Sequence, residues 1–127
     1  MTRIDARMKE LVKRVNGLSY EGPFSRPSLD YQAAQVKWPS WSSRHGIYCF
    51  ENDAEILCIG RALCTTLRQR IFSQCNEKKY EPWKKAITSP STIVHAYAFS
   101  DEEWFWVAAF EAILNAEFDP HFTKRSS

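Results

Sequence analysis

The chain has 127 residues, of which 44% are hydrophobic and 14% aromatic, so it has enough apolar material to bury the core of one globular domain. Its 17 Lys and Arg residues against 15 Asp and Glu residues give a net charge of +2, which excludes the strongly basic character of many nucleic-acid-binding proteins. No apolar run is long enough to cross a bilayer, and the first residues lack the apolar stretch of a secretion signal, so we expect a cytoplasmic protein.

The first predicted element is a helix over residues 3–16, because apolar residues recur there at helical spacing and Gly17 follows as a stop signal. Arg7 and Arg14 share one flank of this helix with Arg3. That flank is either a solvated face, which is the commoner case, or a ridge that contacts the phosphates of a nucleic acid.

Residues 18–45 follow as an irregular arm, since three prolines and several serines interrupt this segment. The aromatic residues of the arm are too numerous for a free linker, so we expect it to pack on the domain, with a short helix near residues 29–35. The same aromatic residues make the arm a candidate docking surface for a protein partner.

Two strands are predicted over residues 46–51 and 55–60, joined by a polar turn as an antiparallel hairpin. A helix over residues 65–75 and a short helix over residues 80–88 come next, and residues 92–99 give a third strand. The sequence therefore predicts an α+β fold in which a small three-stranded antiparallel sheet is flanked by helices.

The last predicted helix begins after Ser100 and Glu103, whose spacing is that of a capping box, and it ends near Asn115. We expect two parts in the chain. Residues 1–45 form the N-terminal helix and the packed arm, and residues 46–127 form the main domain.

The four cysteines are even in number, but no two of them form the C-x-x-C pair that indicates a metal site. Two of them fall within predicted strands, where a reduced cysteine packs as a small apolar residue. We therefore expect reduced thiols in a reducing compartment at Cys49, Cys58, Cys64 and Cys75.

Glu111 is anomalous in the last helix because its helical neighbours, among them Trp104 and Val107, are mostly apolar. A carboxylate buried there needs a cationic partner, a metal ion or a solvent-filled cleft. The alternative is an exposed glutamate on the outer flank of the helix, and periodicity alone favours neither case.

Three arginines lie at the end of the predicted hairpin and in the helix that follows it. Arg61 comes directly after the second strand, Arg70 borders the apolar stripe of the helix, and Arg68 points further toward solvent. A guanidinium group suits a phosphate because its planar fork matches two oxygens and its charge is permanent.

These features together resemble the GIY-YIG nuclease family over about residues 46–123. Gly46-Ile47-Tyr48 matches the first family motif, and Cys58-Ile59-Gly60 matches the second with a cysteine in place of the usual tyrosine. Residues 67–71 are similar to the helix that carries the catalytic arginine of the family, and residues 110–114 to the helix that carries its metal-binding glutamate.

The resemblance implies a GIY-YIG-like fold and an endonuclease that uses one Mg²⁺ or Mn²⁺ ion to hydrolyse phosphodiester bonds, in DNA rather than RNA. Glu111 would bind the ion. Tyr48, with its pKa lowered by nearby arginines, would relay a proton from the attacking water. Arg70, assisted by Arg61, would neutralise charge in the transition state.

Further candidate contacts to nucleic acid lie around this implied site. His45 precedes the first motif and His121 lies near the site by resemblance, although a loop histidine is more often structural. The remaining candidates are the basic residues Arg68, Arg7 and Arg14.

Two other functions stay open. One is a catalytically impaired member of the same fold that binds nucleic acid, which is favoured by the low net charge and by the departures from the family pattern at Cys58, Gln74 and Thr123. The other is a protein-interaction module whose docking surface is the arm at residues 18–45.

Overall fold

The computed structural model describes residues 2–32, 36–53, 55–76 and 80–122. Its architecture is α+β, as the sequence predicts, with helices on both faces of one antiparallel sheet. The elements in chain order are α1 (Arg3–Lys13), β1 (Glu21–Pro27), α2 (Ser28–Gln32), β2 (His45–Asn52), β3 (Glu55–Ala62), α3 (Leu67–Asn76), α4 (Glu81–Ile87), β4 (Thr92–Phe99) and α5 (Trp104–Phe118), with short 3₁₀ turns at Ser40–Ser43 and Asp101–Glu103.

The sheet has four strands in the order β1-β4-β2-β3, and not the three that the sequence predicts. The additional strand is β1, which lies within the arm and pairs antiparallel with β4. The sequence does not predict this strand because it contains Gly22, Pro23 and Pro27, and such residues are typical of loops. They are tolerated here because β1 is an edge strand, where one side of the backbone has no neighbour to pair with.

Each face of the sheet carries its own hydrophobic core. Ile47 and Tyr97 point to the face covered by α1 and α5, where Ile4 and Met8 of α1 join them in one buried cluster. Side chains of the opposite face, such as Phe50, pack with α2, α3 and α4. Because α1, β1 and α2 contribute to these two cores, the predicted boundary at residue 45 does not separate one core from another.

Gly46 is required by the close approach of two backbones. A Cβ atom at this position would lie 2.0 Å from the carbonyl oxygen of Tyr97 and 2.6 Å from Cδ1 of Leu67. The first of these atoms belongs to the backbone of β4 and cannot move without disturbing the sheet. The glycine of the first motif therefore has a packing role in this chain.

His95 is buried in the sheet and takes part in a polar chain across three strands. Its Nε2 atom lies 2.9 Å from Oε1 of Glu51 on β2, and its Nδ1 atom lies 2.7 Å from Oγ of Ser25 on β1. This chain of hydrogen bonds joins the edge strand to the centre of the sheet.

The last helix begins at the predicted capping box, in which the backbone N–H of Ser100 donates to Oε1 of Glu103 over 3.1 Å. The helix ends three residues beyond the predicted Asn115, where Asp119 adopts a left-handed conformation with φ of 46°. Nδ2 of Asn115 donates to the carbonyl oxygen of Ile59 over 3.2 Å. This contact fixes α5 alongside β3 and thereby sets the position of Glu111.

The four cysteines, all of which lie in the described part of the chain, form no disulfide bond. Within the described ranges, no helix has both the length and the apolar character needed to cross a membrane.

Candidate active site

A cleft of about 140 Å³ opens at the edge strand β3, between residues of α3 and α5. The structure brings together here the four residues predicted to carry the chemistry, although they are spread over residues 48–111. The lining consists of Tyr48, Cys58, Ile59, Gly60, Arg61, Arg70, Gln74 and Glu111.

Tyr48 and Gly60 face each other across the β2–β3 pair, and the tyrosine ring lies over the glycine. A Cβ atom at Gly60 would lie 2.3 Å from both Cζ and the hydroxyl oxygen of Tyr48. Any side chain at this position would therefore displace the phenol. The glycine of the second motif is the residue that allows the tyrosine of the first motif to reach the cleft.

The Tyr48 side chain is buried, with 1% of its surface exposed. Burial raises the pKa of the phenol well above its ordinary value of about 10, and Cys58 adds to the increase. Arg70 lowers the pKa by its charge, and hydrogen bonds from Arg70 and Gln74 also lower it, but burial prevails. This result contradicts the expected lowering, so the phenol stays protonated at neutral pH.

Glu111 is also buried, with 4% of its surface exposed, which decides between the two cases that the sequence left open. Its Oε1 atom lies 3.9 Å from Nη1 of Arg61, a side chain that is partly exposed at the mouth of the cleft. The carboxylate thus lies in a cleft wall beside a guanidinium group. That environment meets the requirement of a charged partner for a buried carboxylate.

The cleft is compatible with one hard divalent cation. Within the described residues, no three His, Cys, Asp or Glu side chains lie close enough together to bind a metal ion among themselves. Mg²⁺, however, keeps several of its waters and is commonly bound by one or two carboxylates together with substrate phosphate oxygens. Among the residues that line the cleft, Glu111 is the acidic side chain that could bind such an ion.

Arg68 does not line the cleft. Its Nε and Nη2 atoms donate to Oγ of Ser42 over 3.2 and 3.1 Å, and its guanidinium carbon lies 5.5 Å from the centre of the Trp38 ring. The side chain thus fastens α3 to the segment before β2. Arg68 and Arg70 are two residues apart on α3, but Arg68 contacts the segment before β2 whereas Arg70 lines the cleft.

Arg7 on α1 and Arg14 at the C-terminal cap of α1 also lie away from the cleft. Arg7 donates from Nε to Oε2 of Glu117 over 2.7 Å and pairs with Glu10 as well. Arg14 lies 3.6 Å from the same carboxylate of Glu10. Acidic neighbours therefore offset much of the positive charge on this flank of the helix.

The two histidines predicted near the site do not line the cleft either. His45 is the first residue of β2, and its Nε2 atom lies 3.8 Å from Oδ1 of Asp101. His121 is exposed beyond the end of α5, where its backbone N–H donates to the carbonyl oxygen of Ile56 over 3.0 Å. Thr123, one of the departures from the family pattern, lies outside the described residues.

Comparisons of this chain with models of protein families, with curated proteins and with solved structures gave no match. The resemblance to GIY-YIG nucleases therefore stays a hypothesis. The interpretation of the cleft depends on the geometry and chemistry of its residues.

Gln74, which the sequence marked as a departure from the family pattern but not as a site residue, lines the cleft. It is buried and hydrogen-bonds to Tyr48 from α3. The sequence indicates its position by spacing. Gln74 lies four residues after Arg70, so the two side chains project from the same side of α3, one turn apart. A buried glutamine in this place holds the phenol in position, although its hydrogen bond acts to lower the pKa that burial raises.

Proposed function

We propose that the protein is a metal-dependent endonuclease that hydrolyses phosphodiester bonds in DNA. One observation supports this most strongly: Tyr48, Arg61, Arg70 and Glu111 line the same cleft. A phenol, two guanidinium groups and a carboxylate are suited to orienting water, binding a phosphate and binding a divalent cation.

Glu111 would hold a single Mg²⁺ or Mn²⁺ ion, which supplies positive charge to stabilise the leaving oxygen. Arg70 borders the cleft from α3 and would bind a non-bridging oxygen of the scissile phosphate, where negative charge increases in the transition state. Arg61 lies at the cleft mouth and would exchange its contact with Glu111 for one with the phosphate.

Tyr48 would act as a neutral phenol, because burial holds its pKa above the ordinary value. Its oxygen accepts hydrogen bonds from Arg70 and Gln74, so its O–H group donates to the oxygen of the attacking water and keeps that water in line with the phosphorus. The proton that the water loses passes to a non-bridging oxygen of the phosphate. This role replaces the ionised phenol that the resemblance implied. It needs the fixed position that Gln74 and Gly60 give to the ring.

A second candidate function is nucleic-acid binding without hydrolysis. The observation that favours it is the contact of 3.9 Å between Arg61 and Glu111, which places a cation where a metal ion would bind. The low net charge of +2 does not distinguish the two functions, since a nuclease must also bind its substrate.

A protein partner at residues 18–45 is the less favoured interpretation of the arm. Phe24 packs against Trp38 and Trp41, with ring centres 6.4 and 6.2 Å apart. These partly buried aromatic side chains pack against the core, so they contribute to the fold. The cytoplasm remains our proposed location, because its reducing conditions suit a chain whose four cysteines form no disulfide.

A nicking assay on supercoiled plasmid DNA tests the nuclease function. The wild type is expected to nick the plasmid with Mg²⁺ or Mn²⁺ and to stop when a chelator is added. Arg70→Ala and Glu111→Ala are each expected to lower the rate by about 10²-fold or more, because each removes charge stabilisation of the transition state.

Two matched variants control for the loss of charge alone. Arg26→Ala removes an exposed arginine of β1, the edge strand opposite β3, that pairs with Asp30. Glu102→Ala removes an exposed glutamate before α5. Both should nick at the wild-type rate. A wild type that binds DNA without nicking it would establish the second function, and nicking that survives both site substitutions would reveal a contaminating nuclease.

A further inference from the structure

A second depression adjoins the candidate active site on the outer side of α3. Its volume is about 360 Å³, and it shares the Arg70 side chain with the 140 Å³ cleft. Arg70 is therefore the residue that the two have in common. The depression is lined by Thr65, Gln69, Arg70, Phe72 and Ser73.

Phe72 is an exposed aromatic residue on a helix whose buried face is already complete. Leu67, Ile71 and Cys75 of α3 point into the core, whereas 45% of the Phe72 surface is exposed. Keeping an apolar ring in water is unfavourable, and Phe72 is not a member of either buried core cluster. The exposed ring is a flat surface on which another flat group can stack.

The walls of the depression combine three kinds of chemistry. Arg70 contributes a permanent positive charge, Phe72 contributes an apolar ring, and Gln69 contributes an amide with both donors and an acceptor. A nucleotide has the three complementary groups, namely a phosphate, a flat aromatic base and a base edge with donors and acceptors. An inorganic anion or an aliphatic side chain would leave at least one of the three unused.

We propose that this depression binds an unpaired nucleobase of the nucleic-acid substrate, adjacent to the phosphate held by Arg70. Phe72 stacks on the base, and Gln69 hydrogen-bonds to its edge. The inference rests on the proposed function, because it takes the nucleic acid in the cleft as the source of the base. A base inside a duplex is stacked on both sides, so the site selects single-stranded or locally opened DNA.

Binding measurements without hydrolysis test the proposal. The probes are a fluorescent single-stranded thymidine homopolymer and an abasic polymer of the same length, titrated with protein in the presence of a chelator. The wild type is expected to bind the thymidine polymer more tightly than the abasic one. Phe72→Ala is expected to bind the thymidine polymer about 5- to 100-fold more weakly and to lose most of that preference.

The control is Phe105→Ala, which removes another exposed phenylalanine, on α5, with 58% of its surface exposed. It should keep the preference for the thymidine polymer. Thermal unfolding of both variants verifies that their folds are intact, as expected for exposed positions.

Failure of the inference is distinguishable from failure of the proposed function. If the wild type nicks DNA but Phe72→Ala retains the full preference for bases, the depression is not a base site and the nuclease proposal is unaffected. If the wild type binds neither polymer and nicks no DNA, both proposals are overturned.

Discussion

At the scale of single residues, the position of Tyr48 decides what chemistry the site performs. The phenol lies against Gly60, hydrogen-bonds with Arg70 and Gln74, and is almost fully buried. Because burial outweighs the charge of Arg70, the pKa of the phenol is raised and the hydroxyl group keeps its proton. The site therefore has a tyrosine suited to orienting water and not to abstracting its proton as a phenolate.

Replacing Tyr48 with phenylalanine should lower the nicking rate by about 10²-fold, the usual contribution of one well-placed polar group. Because the phenol does not ionise near neutral pH, the rates of wild type and variant should follow the same curve between pH 6 and pH 9. The measurement is the initial nicking rate across that range. An increase in the wild-type rate with pH that the variant lacks would show that Tyr48 acts after losing its proton.

The predicted site residues fall into two groups for a physical reason. Arg70 and Glu111 were predicted from the resemblance to GIY-YIG nucleases, while helical periodicity placed Arg70 beside an apolar stripe and left Glu111 undecided; both line the cleft. Arg7, Arg68 and His45 were proposed from charge or proximity in sequence, and their orientation depends on partners such as Glu117 and Ser42. Sequence alone does not reveal those partners, because they come from distant segments.

At the scale of elements, two glycines of the β2–β3 hairpin have different roles. Gly46 makes room for the backbone carbonyl of Tyr97, whereas Gly60 makes room for the side chain of Tyr48. The first glycine therefore serves the pairing of β2 with β4, and the second serves the site. The contact between Gly60 and Tyr48 thus joins the second motif, Cys58-Ile59-Gly60, to the first motif, Gly46-Ile47-Tyr48.

We expect Gly46→Ala to affect mainly the stability of the protein and Gly60→Ala to affect mainly its nicking activity. Gly46→Ala should lower the free energy of unfolding by about 3 kcal/mol, because the new methyl group meets a backbone atom that cannot move alone. Gly60→Ala should destabilise the protein less but should reduce nicking as strongly as Tyr48→Phe does, since it displaces the phenol. Urea denaturation and the nicking rate measure the two effects, and equal stability losses in both variants would contradict this assignment.

Most elements could be predicted because their side-chain pattern is local. The strand predicted at residues 92–99 coincides with β4, Thr92–Phe99, and β2 and β3 extend one or two residues beyond their predicted ranges. β1 was missed because its prolines are typical of loops and its pairing with β4 is a long-range contact. The hydrogen bonds of His95 with Ser25 and Glu51 were also not predicted, because the three residues lie on three different strands.

At the scale of the whole molecule, several basic side chains of the described residues are paired with acidic ones. The basic flank of α1 is offset by Glu10 and Glu117, and Arg26 pairs with Asp30 over 2.8 Å. Arg61 and Arg70 are the basic residues that line the cleft. A net charge of +2 is thus compatible with a site that attracts phosphate, because the positive charge that matters is local.

The buried thiols and phenols predict a loss of stability in alkaline solution. Burial raises the pKa of Cys75 to about 12 and also raises the pKa values of Cys49, Tyr31 and Tyr48. The unfolded chain releases these protons at ordinary values of about 8.5 for cysteine and 10 for tyrosine, while the folded state retains them. The stabilisation is therefore complete below about pH 8.5 and is lost as the pH rises toward 12.

The free energy of unfolding should fall by at least about 2 kcal/mol between pH 8 and pH 10, measured by urea denaturation under reducing conditions. Cys75→Ala should be less stable at pH 8, because it leaves a small cavity, but should lose less stability on going to pH 10. A wild-type free energy that is the same at the two pH values would show that these groups are not buried as described.

The measurement that tests the central claim most directly is a double-mutant cycle on the single-turnover nicking rate with Mg²⁺. It compares the wild type, Arg70→Ala, Glu111→Ala and the double variant. If these residues act together in one site, the wild type nicks in a metal-dependent manner and the double variant is no slower than the slower single variant. Independent, multiplying losses, or a wild type without metal-dependent nicking, would contradict the assignment of this cleft as a nuclease site.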